Sequence, residues 1–176
     1  MSPYSSILGG SDNRIIYHAG LGSYHSAIGG GTRNTIYGSQ KCLIAGGEQN
    51  VISNGPIFAS IGGGYQNTVT GRGGTVPGGE YNTAAGSNTF AAGTRAQALH
   101  DGAFVWADAS TNTPFASSNA NEFAIRAAGG VRFESDLGPD PLPNRKARFA
   151  DNNIVAWARV ADIGGIGTYH FGVQSC

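Results

Sequence analysis

A chain of 176 residues with eleven basic and eleven acidic side chains carries no formal net charge, so nothing in its balance attracts a polyanion and nucleic acid is not an expected partner. Glycine supplies 29 residues and charged groups only 12%, a composition that fits neither an ordinary globular domain nor a charged disordered tail. No run approaches the ~20 apolar residues of a membrane helix, and Met1-Ser2-Pro3-Tyr4 lacks the basic and apolar regions of a secretory signal, so export is expected to depend on a segment outside this chain, on lysis or on a particle.

From the first residues onward the chain repeats itself. Ile7 to Asn13, Ile28 to Asn34, Ile44 to Asn50, Ile61 to Asn67 and Val76 to Asn82 share the template aliphatic-x-Gly-Gly-x-x-Asn. The asparagines Asn13, Asn34, Asn50, Asn67 and Asn82 are 21, 16, 17 and 15 residues apart, a coil of about fifteen residues with insertions. Aligned on them, Ile15, Ile36, Ile52, Val69 and Ala84 form one column, and Ser5, Ser26, Cys42, Ala59 and Gly74 form a small-residue column two places before the aliphatic one. That spacing is strand alternation, which puts both on one face. Cys42 therefore reads as a small interior residue rather than a reactive thiol.

Gly30, Gly47, Gly64 and Gly79 are the candidate structural glycines, placed at a sharp bend or close backbone approach, and asparagine is suited to left-handed turns and to bonding nearby backbone. Pro77, in the place of Gly29 and Gly62, is expected at a turn or an unpaired side because it has no ladder donor. A weaker sixth coil runs through Phe90 to Ala98, with Ala96 where asparagine would stand. The pattern predicts an all-β parallel β-solenoid of about five to six coils, a rod of roughly 25 to 30 Å at one strand spacing per coil. So thin an interior buries little apolar surface for a hundred ordered residues, and association of several rods is expected.

The longest insertion, between the first two coils, carries two Tyr-His pairs, Tyr17-His18 and Tyr24-His25. Loops on a rigid scaffold are where binding surfaces are built, and aromatic rings beside hydrogen-bond donors suit a sugar ring, so these four residues are the candidate ligand-binding set. The plain alternative is that the loop merely covers the first coil. No His-x-His or paired carboxylate accompanies the histidines, and neither a metal nor a cofactor is expected. His100-Asp101 and Asp108 flank the apolar run Phe104 to Ala107 and read as turn residues. Gly29-Gly30-Gly31 and Gly62-Gly63-Gly64 are not followed by the Lys-Ser or Lys-Thr of a phosphate loop.

The Gly-Gly-x-x-Asn coils, followed by Ala85-Gly86-Ser87-Asn88-Thr89-Phe90-Ala91-Ala92-Gly93, resemble the head repeats of trimeric autotransporter adhesins, the YadA-like β-rolls, which also occur in tail-fibre-like proteins. His100 to Asp108 and Phe123 to Phe133 resemble the segment that follows such repeats in fibres often ending in an intramolecular chaperone. The resemblance implies a left-handed, homotrimeric β-roll followed by a small β-rich cap, with surface attachment as its role. No anchor barrel, heptad stalk or signal is present, and with Met1 as a native start a phage or phage-like tail fibre is the better home.

The domains expected are head repeats over 1–100, a β-rich neck or cap over 101–135, a Pro-rich linker over 136–144 and a small β-hairpin segment over 145–176. Cys176 is placed for an interchain bridge or a free thiol. The function expected is a non-enzymatic, extracellular attachment module on a virion tail or bacterial surface, with other fibre or baseplate segments and a glycan or protein receptor as partners and no membrane span. The alternatives are a filament segment without receptor contact and a β-helical polysaccharide-degrading enzyme. Such enzymes cluster acidic side chains, whereas residues 1–100 hold only Asp12, Glu48 and Glu80. An ice-binding array is disfavoured because Thr68 and Thr70 do not recur in register.

Overall fold

The computed structural model describes residues 4–17 and 24–131. His18, the expected linker and hairpin segment, and Cys176 lie outside the described residues. Met1–Gly130 forms one unit, described here; of the second, Val131–Cys176, only Val131 is described.

Among the described residues the chain forms sixteen short strands: β1 (Ser6–Ile7), β2 (Arg14–Ile16), β3 (Ala27–Ile28), β4 (Thr35–Tyr37), β5 (Leu43–Ile44), β6 (Val51–Ile52), β7 (Ser60–Ile61), β8 (Thr68–Val69), β9 (Thr75–Val76), β10 (Gly79–Glu80), β11 (Thr83–Ala84), β12 (Phe90–Thr94), β13 (Ala96–Ala98), β14 (Phe104–Ala107), β15 (Phe115–Ala116) and β16 (Phe123–Arg126). They stack in parallel as two sheets. One, called here the first sheet, runs β1-β3-β5-β7-β9-β12-β14-β16; the second runs β2-β4-β6-β8-β11-β13-β15. β10 also joins the first sheet, beside β12; otherwise each coil through β15 gives one strand to each sheet, so the described residues form an all-β solenoid with like residues above like. Two edges join the sheets. The glycine edge carries the Gly-Gly-x-x-Asn bend, and the return edge leads from the second sheet back to the first.

The strands are short because every coil turns sharply twice. At the glycine edge Asp12, Arg33, Gln49, Gln66, Tyr81 and Arg95 all have φ between 52° and 60°; at the return edge Tyr4, His25, Lys41, Phe58, Gly73, Asn88, Gly102 and Asn121 have φ between 54° and 70°. A left-handed residue with a Cβ is strained, and here it persists because its N–H is turned back to the preceding coil. Arg33 donates to the Ser11 carbonyl at 2.9 Å, Gln49 to Thr32 at 2.9 Å, and Lys41 to Tyr24 at 2.9 Å. The left-handed residue is thus the one before the asparagine, a correction to the expectation that asparagine itself turns the chain.

Asparagine is instead the internal fastener. The Nδ2 of Asn34 donates to the Gly30 carbonyl of its own coil at 3.0 Å and to the Gly47 carbonyl of the next at 2.8 Å, while its Oδ1 accepts from the Asn50 N–H at 3.0 Å. Asn50, Asn67 and Asn82 repeat the arrangement, and the series stops at Ala96, whose N–H donates to Asn82 Oδ1 at 2.9 Å. Asn34, Asn50, Asn67 and Asn82 are completely buried. Each unpaired amide group there would cost ~1 to 3 kcal/mol, and pairing nearly all of them removes that cost.

The second glycine of each pair is the constrained one. Gly31, Gly47, Gly64 and Gly79 have φ of 85° to 91°, and a Cβ on any of them would lie 2.0 to 2.3 Å from the next coil's carbonyl oxygen. Gly30 belongs to the other column, where a Cβ would meet nothing within 4 Å, so Gly31 takes the steric role expected of Gly30, which keeps only its carbonyl bond to Asn34.

Two aliphatic columns fill the interior, and they shrink along the rod. Ile28, Ile36, Ile44, Ile52 and Ile61 give way to Val69 and Val76 and then to Ala84, Ala91 and Ala98, all fully buried. The coil shortens with them: Gly79 pairs with Gly93 while Thr75 pairs with Phe90, so Pro77 and Gly78 together oppose Ala92 alone. This is a bulge in a parallel pair. Leu8, Gly29 and Gly62 donate to the next coil from the position that Pro77 occupies, so Pro77 is not on an unpaired side; it stands in the ladder and interrupts it. Cys42 is buried as expected, and burial pushes its thiol up to about 11, out of the reactive range.

Six coils through Ala98 match the number expected. Stacking then continues without a break at residue 100: Phe104–Ala107 pairs with Phe90–Gly93, and Phe123–Arg126 pairs with Phe104–Ala107. In these later coils ring stacking on the outer face replaces the asparagine series. Phe90 and Phe104 lie 4.5 Å apart at 3°, and Phe104 and Phe123 4.6 Å apart at 25°.

Asn50→Asp turns the two donors that serve Gly46 and Gly64 into buried anionic acceptors, and thermal or urea unfolding is expected to show a loss of ~3 to 5 kcal/mol. Gly47→Ala is expected to cost more than ~2 kcal/mol, because the new Cβ meets backbone at a left-handed position, whereas Gly46→Ala stays within ~1 kcal/mol. Equal effects at the two glycines in denaturant titrations would contradict the close-approach account.

Candidate functional site

The described residues of the first insertion gather on the return edge of the first two coils. Tyr17 and Tyr24 meet edge to face, ring centres 6.3 Å apart at 71°, and the hydrogen bond between their side chains is the leading cause that raises the Tyr24 hydroxyl above its usual range. Tyr24 and His25 are adjacent, yet the left-handed turn at His25 (φ 57°) sends its ring elsewhere, onto Tyr4 at 5.2 Å and 9°. Of the four candidates, Tyr17, Tyr24 and His25 are thus placed on one edge, as two ring pairs. Tyr4 completes the second pair, and the sequence reading missed it because it precedes the first recognisable template residue.

Farther along the same edge Lys41 Nζ lies 5.2 Å and the Arg72 guanidinium carbon 5.9 Å from the centre of the Phe58 ring. Phe58 is 54% exposed. Lys41 and Phe58 share the left-handed column with Tyr4 and His25, and that column varies in residue type, which is why spacing alone did not reveal it.

The glycine edge differs in charge. Arg33 pairs with Glu48 at 3.5 Å, Tyr65 meets Tyr81 edge to face at 5.4 Å, and Arg95 lies over Tyr81 at 4.3 Å. Burial is the leading cause that raises the Tyr65 hydroxyl. In the first two coils an open depression of about 330 Å³ is lined by Asp12, Arg14, Arg33 and Thr35, side chains of both signs.

His100 and Asp101 sit in a turn, as expected. Asp101 Oδ1 accepts from the Ser87 N–H at 2.6 Å, and His100 Nδ1 lies 2.9 Å from Ser117 Oγ. Asp108 clips the insertion that follows β14: it accepts from the Ala128 N–H, from Ser110 Oγ at 2.6 Å and from Arg126 Nε at 3.3 Å. Arg126 also donates to the Thr113 carbonyl at 2.6 Å and the Asp108 carbonyl at 3.0 Å, so one guanidinium fastens both ends of the loop.

The first sheet's outer face is apolar in its later coils, and Ser60 and Thr75 separate that part from Leu43. Leu8, Leu43, Phe90, Phe104, Trp106 and Phe123 stand outward on it, with Leu8 80% and Phe123 64% exposed. No family model, curated protein or solved structure matches the chain.

The bonds from Ala128, then Ser110 and Arg126, hold the Asp108 carboxyl down to about 2 from its ordinary 3.8. Because the folded value is the lower one, the clip contributes fully above 3.8 and is lost as pH falls through about 2. Carboxyl carbon NMR is expected to place the Asp108 midpoint near 2, and Arg126→Gln to move it upward but not to 3.8, since the Ala128 and Ser110 bonds remain.

Proposed function

We propose that this chain is a non-enzymatic attachment module of an extracellular fibre: a left-handed β-roll that works as a homotrimer, in a tail fibre or adhesin head, with a small β-rich cap. The observation that carries the reading is the aromatic stack on the outer face of the first sheet. Phe90, Phe104 and Phe123 stacked beside the exposed Trp106 on one flank of a narrow rod form a patch to be covered, and exposed apolar surface of this kind marks an interaction site. Three copies related by a closed rotation cover one another's faces and supply the burial that a single thin interior does not.

The acidic side chains of the later coils favour this role over a polysaccharide-degrading enzyme. Asp101 and Glu122 are bonded to turn backbone and Asp108 to Arg126, so these carboxylates serve the frame. Attachment falls to the return edge, where Tyr17, Tyr24 and His25, with His18 between them in sequence, offer rings and donors to a surface glycan or protein receptor, three copies at a time. Among the described residues β1 and β16 end the first sheet, a position that suits joints to other fibre or baseplate segments, which keeps the purely structural filament segment as the second reading.

Size-exclusion chromatography with light scattering is the decisive measurement. The expected mass is three times the 18.0 kDa of one chain. A stable, folded species at the single-chain mass would overturn the fibre reading.

A further inference from the structure

The return edge carries a pattern of rings and charges that coil stacking does not require. Successive coils bring out Tyr4, His25, Lys41 and Phe58 at the left-handed position, and Arg72 stands beside Gly73 in the following coil. Lys41 and Arg72 converge on the Phe58 ring from the coils before and after it. Among the described residues neither cation makes an ion pair, although Arg33 and Arg126 both do. No Asp or Glu occurs among the edge residues 17, 24–26, 38–42, 53–59 or 70–74. Two like charges held against one ring repel each other, and the ring's quadrupole offsets only part of that repulsion. The stretch of the edge around Lys41 and Arg72 therefore lacks an anion, the carboxylates Asp101 and Glu122 lying in later coils.

We propose that the return edge binds a linear acidic polysaccharide, its carboxylate or sulfate groups set against Lys41 and Arg72 and its sugar faces against the ring pairs Tyr4–His25 and Tyr17–Tyr24. The proposal rests on the attachment reading and names its ligand class. Lys41 and Arg72 are two coils apart, so along the rod their backbone positions differ by roughly 10 Å. That is a sparse row of charge with apolar platforms at one end. A nucleic acid strand carries a phosphate about every 3.4 Å and is held by many basic contacts. An anionic membrane is held by clusters of about four to eight basic residues. Two cations and five rings along one edge, on a chain of zero net charge, fit neither and fit a polymer that alternates uncharged rings with occasional acidic groups.

The test uses the full chain on immobilised polygalacturonate, dextran sulfate and neutral dextran, with RNA and anionic phospholipid vesicles as further arms. Retention is expected on polygalacturonate, dextran sulfate or both, weakening as sodium chloride rises, and not on neutral dextran. The double variant Lys41→Gln, Arg72→Gln is expected to bind about ten-fold more weakly, whereas Arg33→Gln on the glycine edge binds as the parent does. Lys41→Arg with Arg72→Lys is expected to restore binding. Equal retention of parent and double variant, retention on neither acidic polymer, or retention on RNA or vesicles alone would each overturn the proposal. Light scattering of every variant separates lost contact from lost assembly: where the double variant changes mass, failure of the charge-retaining variant to bind at parental mass rejects the ridge. A single-chain mass with binding that still depends on Lys41 and Arg72 would remove the fibre reading and leave this one standing.

Discussion

Burying an amide in a rod this narrow is tolerable only because each coil presents a complement to its neighbour, and the rest of the structure follows from that. The asparagine reaches its carbonyl partners only if the backbone before it turns left-handed and the glycine before that lets two coils approach within carbonyl contact. Strand length, coil length and the identity of two columns are consequences of keeping one amide bonded on both sides. The aliphatic columns then decide perimeter, which is why isoleucine gives way to alanine where the coil loses a residue.

Beyond Ala96 cohesion changes character. The later coils are joined by longer backbone pairing, by a column of stacked phenylalanines outside, and by Arg126 tying a loop to the frame. The rod thus has a polar fastening inside its first part and an aromatic one outside its second. The two edges divide similarly: the glycine edge carries charges of both signs, with Arg33 paired to Glu48, whereas around Phe58 on the return edge cations stand with a ring.

The coil count and both interior columns could be read from the chain because one template governs five coils, and a template shows itself by repetition. Cys42 was legible for the same reason, as one member of a small-residue column. What stayed hidden obeys geometry rather than residue type. Asp12, Arg33, Gln49, Gln66, Tyr81 and Arg95 share one backbone conformation but no side-chain chemistry, so no spacing rule exposes them. Gly30 and Gly31 are not told apart by sequence because in a run of three glycines composition does not say which one faces the neighbouring backbone. The coils after residue 100 lost both the asparagine and the glycine pair and gained the loop that Asp108 closes, and so read as a separate neck. On the return edge the ring pairs depend on Tyr4 and Phe58 meeting residues a coil away, which single-coil spacing does not encode.

The asparagine series also has a direction. Each amide takes most of its partners from the coil that follows, so an asparagine coil at the growing end of a nascent chain is left with an unmet donor and acceptor until the next one docks. A polypeptide leaving the ribosome amino terminus first would therefore carry, at every stage, a templating tip for its own continuation. Ala96 is where that demand ends: it supplies the last N–H and asks for nothing in return.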